Sequence, residues 1–133
     1  MLRVGITGHM NLTPSTVPLV EEAMREALTP YLPDRVTGVS CIAVGADSIF
    51  ARVILDLGGN LEVILPASDY REKKVKPENV DHFDQLVGRA SSVRTMPFVT
   101  SNRDAYEAAN NALLSLCGLL FAVCGMGWPG AGR

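Results

Sequence analysis

The residues able to do chemistry in this chain stand in short clusters, each following an apolar run. The first is Gly5-Ile-Thr-Gly8-His9-Met10-Asn11. Glycines let a backbone turn tightly and approach a ligand with no β-carbon in the way, so amides here could cradle a phosphate; a plain tight turn uses the same residues. His9 could donate to an anion or a base edge, or bond to the backbone of its own turn. The second cluster, Gly45-Ala46-Asp47, puts a carboxylate at the mouth of a helix. Asp47 can accept from first-turn amides as a cap, which the helix dipole favours, or accept a ribose hydroxyl; on the residues alone the cap is the stronger reading. In the third, Tyr70, Arg71, Lys73, Lys74 and Lys76 gather an aromatic ring and four cations, diluted by Asp69, Glu72 and Glu78. This is either a solvated face or, with Arg71 beside Tyr70, a lid over a nucleotide. The fourth, Thr100-Ser101-Asn102, opens a helix whose first amides are ready for an anion. One or two turns further in, Tyr106 falls on the apolar stripe, while Glu107 and Asn110 lie off it. The last is the Gly-rich run from Gly125 through Trp128 to Arg133, which reads as a flexible tail or, through Gly125, as a ligand loop. Carboxylates abound, but none is marked by the residues alone as half of a paired acid and base. No Ser/His/Asp order, His/Cys metal spacing or Walker sequence is present, so neither metal nor cofactor is expected.

The elements that must position these clusters follow from hydrophobic periodicity. Leu2 to Thr7 is a β-branched run that reads as a buried strand. Between Thr16 and Tyr31, Val17, Val20, Ala23, Met24, Ala27, Leu28 and Tyr31 recur at three and four, which predicts an amphipathic helix begun near Pro14 and Pro18 and ended by Pro30 and Pro33. Val39 to Val44 predicts a second strand, and Ile49, Phe50, Val53, Ile54 and Leu57 a second helix stopped by Gly58-Gly59. Leu61 to Leu65 is a third strand. Asp69 to Glu78 lacks apolar periodicity and predicts a mobile loop before a helix carrying Val80, Phe83, Leu86, Val87 and Ala90. Val93 to Met96 is a fourth strand, Ser101-Asn-Arg-Asp104 has a capping-box pattern ahead of a helix through Leu116, and Gly118 to Cys124 is a fifth strand. Strands that are nearly apolar throughout and alternate with helices predict an α/β, Rossmann-like three-layer fold with a mainly parallel five-stranded sheet. Ligands of such sheets bind outside the carboxyl ends of the strands, near the point where strand order reverses.

Composition bounds the function. The 133 residues suffice for one domain, and 47% hydrophobic residues supply a single core. Twelve Lys and Arg against 14 Asp and Glu lack the basic excess of a dedicated nucleic-acid binder. Cys41, Cys117 and Cys124 sit in apolar runs without CxxC spacing, which suggests neither a disulfide framework nor zinc. The apolar stretches fall short of a membrane span and the first residues do not form a signal peptide, so a soluble, cytoplasmic protein is expected.

Four stretches taken together are similar to a known group: Val4-Gly-Ile-Thr-Gly8-His9, Val44-Gly-Ala-Asp47 before an amphipathic helix, Leu61-Glu-Val-Ile-Leu-Pro66, and Tyr106-Glu-Ala-Ala-Asn110 before a Leu-rich strand. They resemble the SLOG superfamily, Rossmann-like domains that include the lonely guy phosphoribohydrolases and DNA-processing protein A. The resemblance covers nearly the whole chain and implies a nucleotide or nucleotide-derived ligand across the strand ends, with Gly8, His9, Gly45, Asp47 and Asn110 as contacts. Two departures stand out. Met10 occupies the position where relatives often read Arg, and it cannot pair with a phosphate. Gly127 to Arg133 only starts toward the Gly-Gly-x-Gly-Thr turn and further helix of the phosphoribohydrolases, so the chain reads as a C-terminally short member.

The resulting expectation is a nucleotide-binding sensor, carrier or accessory module, with a nucleoside phosphate lying between the Gly8-His9 loop and the Ser101 helix start and Arg71, Asn102 and Gly125 as further contacts. The alternative is a hydrolase or transferase acting at a nucleoside or nucleotide N-glycosidic bond, with Asp47 or Glu107 as the catalytic carboxylate. A third reading is an interaction protein with a vestigial pocket. Without the final helix part of the sheet lies bare, which predicts a homodimer or higher homo-oligomer, with Trp128 a candidate anchor.

Overall fold

The computed structural model describes residues 2–8, 12–31, 36–43 and 45–123. Five strands, β1 (Leu2–Gly8), β2 (Val36–Ser40), β3 (Asn60–Leu65), β4 (Ser92–Thr95) and β5 (Leu119–Val123), form one sheet in the order β4-β3-β2-β1-β5, and every pairing is parallel. Between them run α1 (Val17–Leu28), α2 (Ala46–Asp56), a five-residue α3 (Tyr70–Lys74), α4 (Val80–Arg89) and α5 (Arg103–Leu116). Strand order reverses beside β1, between β2 on one flank and β5 on the other.

Alternation along the strands assigns the two faces. Val4, Ile6 and Val36 pack with Val20, Met24, Leu28, Phe50 and Ile54 of α1 and α2, and Leu61 and Val63 pack with Phe83 and Leu86 of α4. The residues between them, Val39 and Ile64, point the other way, onto Ala109 and Leu113 of α5. Among the described residues three helices, α1, α2 and α4, therefore cover one face, and α5 covers the other.

Two glycines let these helices lie close. A β-carbon on Gly5 would stand 2.6 Å from the Cys117 sulfur and 2.7 Å from Cδ2 of Leu113, while one on Gly38 would stand 2.6 Å from Cγ1 of Ile54. Gly5, expected in a ligand-approaching turn, instead lies within β1 under α5.

Three further expectations are corrected. The second strand spans Val36–Ser40 rather than Val39–Val44, because the chain leaves the sheet at Ile42, whose φ of 46° is incompatible with a strand. The segment Asp69 to Glu78 is ordered into α3 and a 3-10 turn, Pro77–Asn79, because Tyr70 is buried and holds it down. The helix after β4 is capped by Asn102, whose side chain accepts the Ala105 N–H at 2.9 Å; Ser101 stands one residue too early.

Candidate functional site

At the carboxyl end of β2 the chain makes a tightly braced turn. The Ser40 hydroxyl accepts the Ile42 N–H at 2.9 Å and donates to the Asp47 carbonyl at 3.1 Å. Ser48 donates its hydroxyl to the Ala43 carbonyl at 2.8 Å, and its N–H reaches the same oxygen at 3.1 Å. Between these braces Ile42, a β-branched residue, is held at φ 46° and Gly45 at φ 94°. Such backbone on a non-glycine residue is strained and is retained only where its surroundings over-determine it. The turn presents Ile42, Ala43, Gly45, Ser48 and Ile49 to a cavity of about 360 Å³.

The remaining walls come from three other places. Leu12 and Val17 enter from the β1–α1 connection and the start of α1; Tyr70, Lys74, Val75, Asn79, His82 and Phe83 come from the segment between β3 and the first turn of α4; and Tyr106 comes from α5. The volume is at the low end for small-molecule sites, and the mixture of apolar and aromatic walls with a few polar groups is typical of them. Tyr70 links the aromatic part, with its ring 6.1 Å from that of Phe83 and 6.4 Å, edge-on, from that of Tyr106. Burial raises the phenols of both tyrosines above their ordinary range, with the neighbouring Asp69 adding to the shift of Tyr106. Burial also lowers the His82 pKa, helped by the nearby Arg52, which favours the neutral imidazole.

Asp47 occupies the second position of α2 and does not cap it. The N-cap is Gly45, whose positive φ suits only a residue without a β-carbon, and it makes no side-chain bond. The Asp47 carboxyl instead accepts the backbone N–H of Ala43. Burial dominates over that bond and pushes its pKa up to about 7. The same burial raises the neighbouring Cys41 thiol to about 12, with the Asp47 charge adding to it.

Of the residues singled out by sequence, Gly45 lines the cavity and Asp47 lies two residues beyond it, outside the lining. Ser101 does not offer free donors: its N–H and hydroxyl both go to the same oxygen of Asp69, at 2.8 and 2.6 Å. Asn102 is engaged as the cap of α5. Arg71 is no lid over the cavity, because its guanidinium grips Asp84 through two bonds of 2.9 and 2.8 Å. Glu107 is exposed and paired with Arg103 at 3.2 Å, and Asn110 is exposed on α5. Gly8 ends β1 opposite Val123 of β5. His9, Met10, Gly125 and Trp128 lie outside the described residues. Ser48, Asn79 and His82 were not expected in a site, and Tyr106 was expected to pack; the available signal was a histidine beside an aromatic residue in the first turn of a helix.

No family model matches the chain, and no curated protein matches it. Solved structures do. The chain superposes on DNA processing protein A from Streptococcus pneumoniae with a TM-score of 0.65 at 16% identity, covering 91% of this chain and 41% of that one. It superposes on DNA processing protein A from Helicobacter pylori with a TM-score of 0.66 at 18% identity, covering 91% of this chain and 53% of that one. The fold is Rossmann-like. At this level of identity the likeness concerns architecture, and the chain spans about half the length of these neighbours or less. Among the described residues no helix is long and apolar enough to cross a membrane.

Proposed function

We propose that the chain is a SLOG-type domain that binds a nucleotide or nucleotide-derived small molecule in the cavity at the carboxyl ends of β2 and β3, as a sensor, carrier or accessory module. The observation that carries this reading is the cavity itself, placed where Rossmann-like sheets bind ligands and walled by Tyr70, Phe83 and Tyr106, which suit a planar base. It opens one strand away from the β1–β5 reversal, with Leu12 reaching it from the connection that follows Gly8. Residues of that connection, His9 among them, stand as further candidate contacts.

The Helicobacter pylori neighbour binds single-stranded DNA, which makes a strand the competing ligand for this fold. Charge favours the small molecule. The chain has no basic surplus, and Arg3, Arg25, Arg52, Arg71 and Arg103 each pair with a carboxylate. Titration calorimetry with nucleosides, nucleoside monophosphates and a single-stranded oligonucleotide tests the reading. Saturable binding of the small ligands, lost in Tyr106→Ala, supports it; tighter binding of the oligonucleotide, or no binding of any small ligand, overturns it.

Cleavage at an N-glycosidic bond is the second reading, and one observation favours it. Burial pushes the Asp47 carboxyl up to about 7, a range in which a carboxyl exchanges protons near neutrality, and it stands two residues from Gly45 of the lining without itself entering it. Glu107, exposed and ion-paired, has no comparable support. Base release from a nucleoside monophosphate, abolished by Asp47→Asn, would make the protein an enzyme. Leu114, Leu116 and Leu120, exposed toward the α5 and β5 side, support a homo-oligomer.

A further inference from the structure

The cavity is not uniform in character. On the side built by the segment between β3 and α4, Lys74, Asn79 and His82 interrupt an otherwise apolar and aromatic lining. Lys74 is exposed and Asn79 and His82 are half-buried, whereas Tyr70 and Phe83 of the same lining are buried, which makes the first three the solvent-side rim of the cavity. The carboxylates near this rim, Asp69 beside Tyr106 and Asp47 beside Tyr70, lie outside the lining. Among the described lining residues there is no carboxylate, and Lys74 is the one full cation. No described carboxylate lies within ion-pair distance of Lys74, whereas the nearby arginines Arg52 and Arg71 are held by Glu21 and Asp84.

We infer that Lys74, Asn79 and His82 form an oxyanion subsite, which takes one phosphate- or carboxylate-type group of a small molecule whose planar part lies against Tyr70, Phe83 and Tyr106. This rests on the reading that the cavity is the ligand site, and it locates the anion on the β3–α4 segment instead of at Ser101, whose donors are spent on Asp69. The three side chains supply complementary bonding: an ammonium with three donors, an amide with two, and an imidazole with one N–H in its neutral form. The single fixed charge sets the count. A second anionic group would enter an apolar cavity without a partner, which burial penalises heavily.

Two measurements on the whole chain test this at pH 7.5. In the first, inorganic phosphate is titrated while the ring signals of His82 are followed by NMR. A saturable shift is expected, lost in Lys74→Met; a shift that is absent, linear with concentration, or unchanged in Lys74→Met overturns the subsite. In the second, calorimetry compares adenosine with adenosine monophosphate. The monophosphate should bind about tenfold tighter or more, the strength of a charge-assisted contact, and Lys74→Met should reduce the gap to within about twofold. Lys73→Met, which alters an exposed cation outside the lining, should leave it intact. Equal losses in both variants would mean diffuse electrostatics and overturn the subsite. Phosphate that saturates His82 while no nucleoside binds would retain the subsite and remove the nucleotide reading. Nucleoside and monophosphate binding equally well would do the reverse.

Discussion

Asp47→Asn should stabilise the protein, and by an amount that depends on pH. The carboxyl's ordinary pKa is 3.8, and burial in the fold raises it to about 7. A group whose folded pKa is raised in this way holds its proton in the folded state after the unfolded chain has released it. Below pH 3.8 both states are protonated and Asp47 contributes no difference. Between pH 3.8 and 7 the native fold loses stability as pH rises, and above about pH 7 the loss is constant. At about 1.4 kcal/mol for each tenfold change in proton affinity, the full loss is about 4 kcal/mol. Asn has the same shape, never ionises, and its amide oxygen can still accept the Ala43 N–H. Urea unfolding of both proteins should therefore differ by about 4 kcal/mol at pH 8, by under about 2 kcal/mol at pH 5, and by little at pH 4. A pH-independent difference, or an Asn variant less stable than the parent at pH 8, would refute the claim that the Asp47 carboxyl is desolvated and held against ionisation.

Gly5→Ala should destabilise by about 1–3 kcal/mol through overpacking of its β-carbon on Cys117 and Leu113, as read by urea midpoints; an unchanged midpoint would show that α5 is free to move off β1. Asn102→Ala removes the cap of α5 and should cost about 1 kcal/mol, whereas a serine or aspartate there should restore most of it. The Arg71–Asp84 pair is solvent-exposed, so a double-mutant cycle by urea unfolding should give a small coupling that added salt weakens further; a coupling unchanged by salt would contradict this. Light scattering across a dilution series should show a species larger than the monomer, and Leu114→Lys with Leu120→Lys should dissociate it; a monomer at all concentrations would remove the homo-oligomer.

The strands and long helices are legible in sequence because each is a repeated local pattern. Val20, Met24 and Leu28 sit on one side of α1 because helical spacing puts them there, and the apolar runs of β1 and β3 follow from a sheet covered on both faces. What escapes is set by contacts between distant segments. Asp47 beside a helix start has the type of a cap, but Gly45 takes that position because the braced Ser40–Ser48 turn demands a left-handed residue there. Tyr70 lies between Asp69 and the charged run Arg71 to Lys74 and carries no periodic signal, yet its ring is anchored by Phe83 and Tyr106 and orders α3. The cavity is less legible still. Its walls come from the start of α1, the β2–α2 turn, the β3–α4 segment and α5, and no single stretch contains enough of them to mark a site. Arg71 and Ser101 have the right residue types for ligand contacts, but partners far along the chain, Asp84 and Asp69, take up their donors.

Mapping a nucleoside monophosphate by backbone amide chemical shifts tests the central claim most directly. The cavity at the β2 and β3 ends predicts saturable shifts at Gly45, Ser48, Ile49, Tyr70, Asn79, His82 and Tyr106, with Glu107's partner Arg103 and the amino-end pair Arg3 and Glu62 unmoved. Shifts confined to residues outside the cavity lining, or none at saturating ligand, would contradict it.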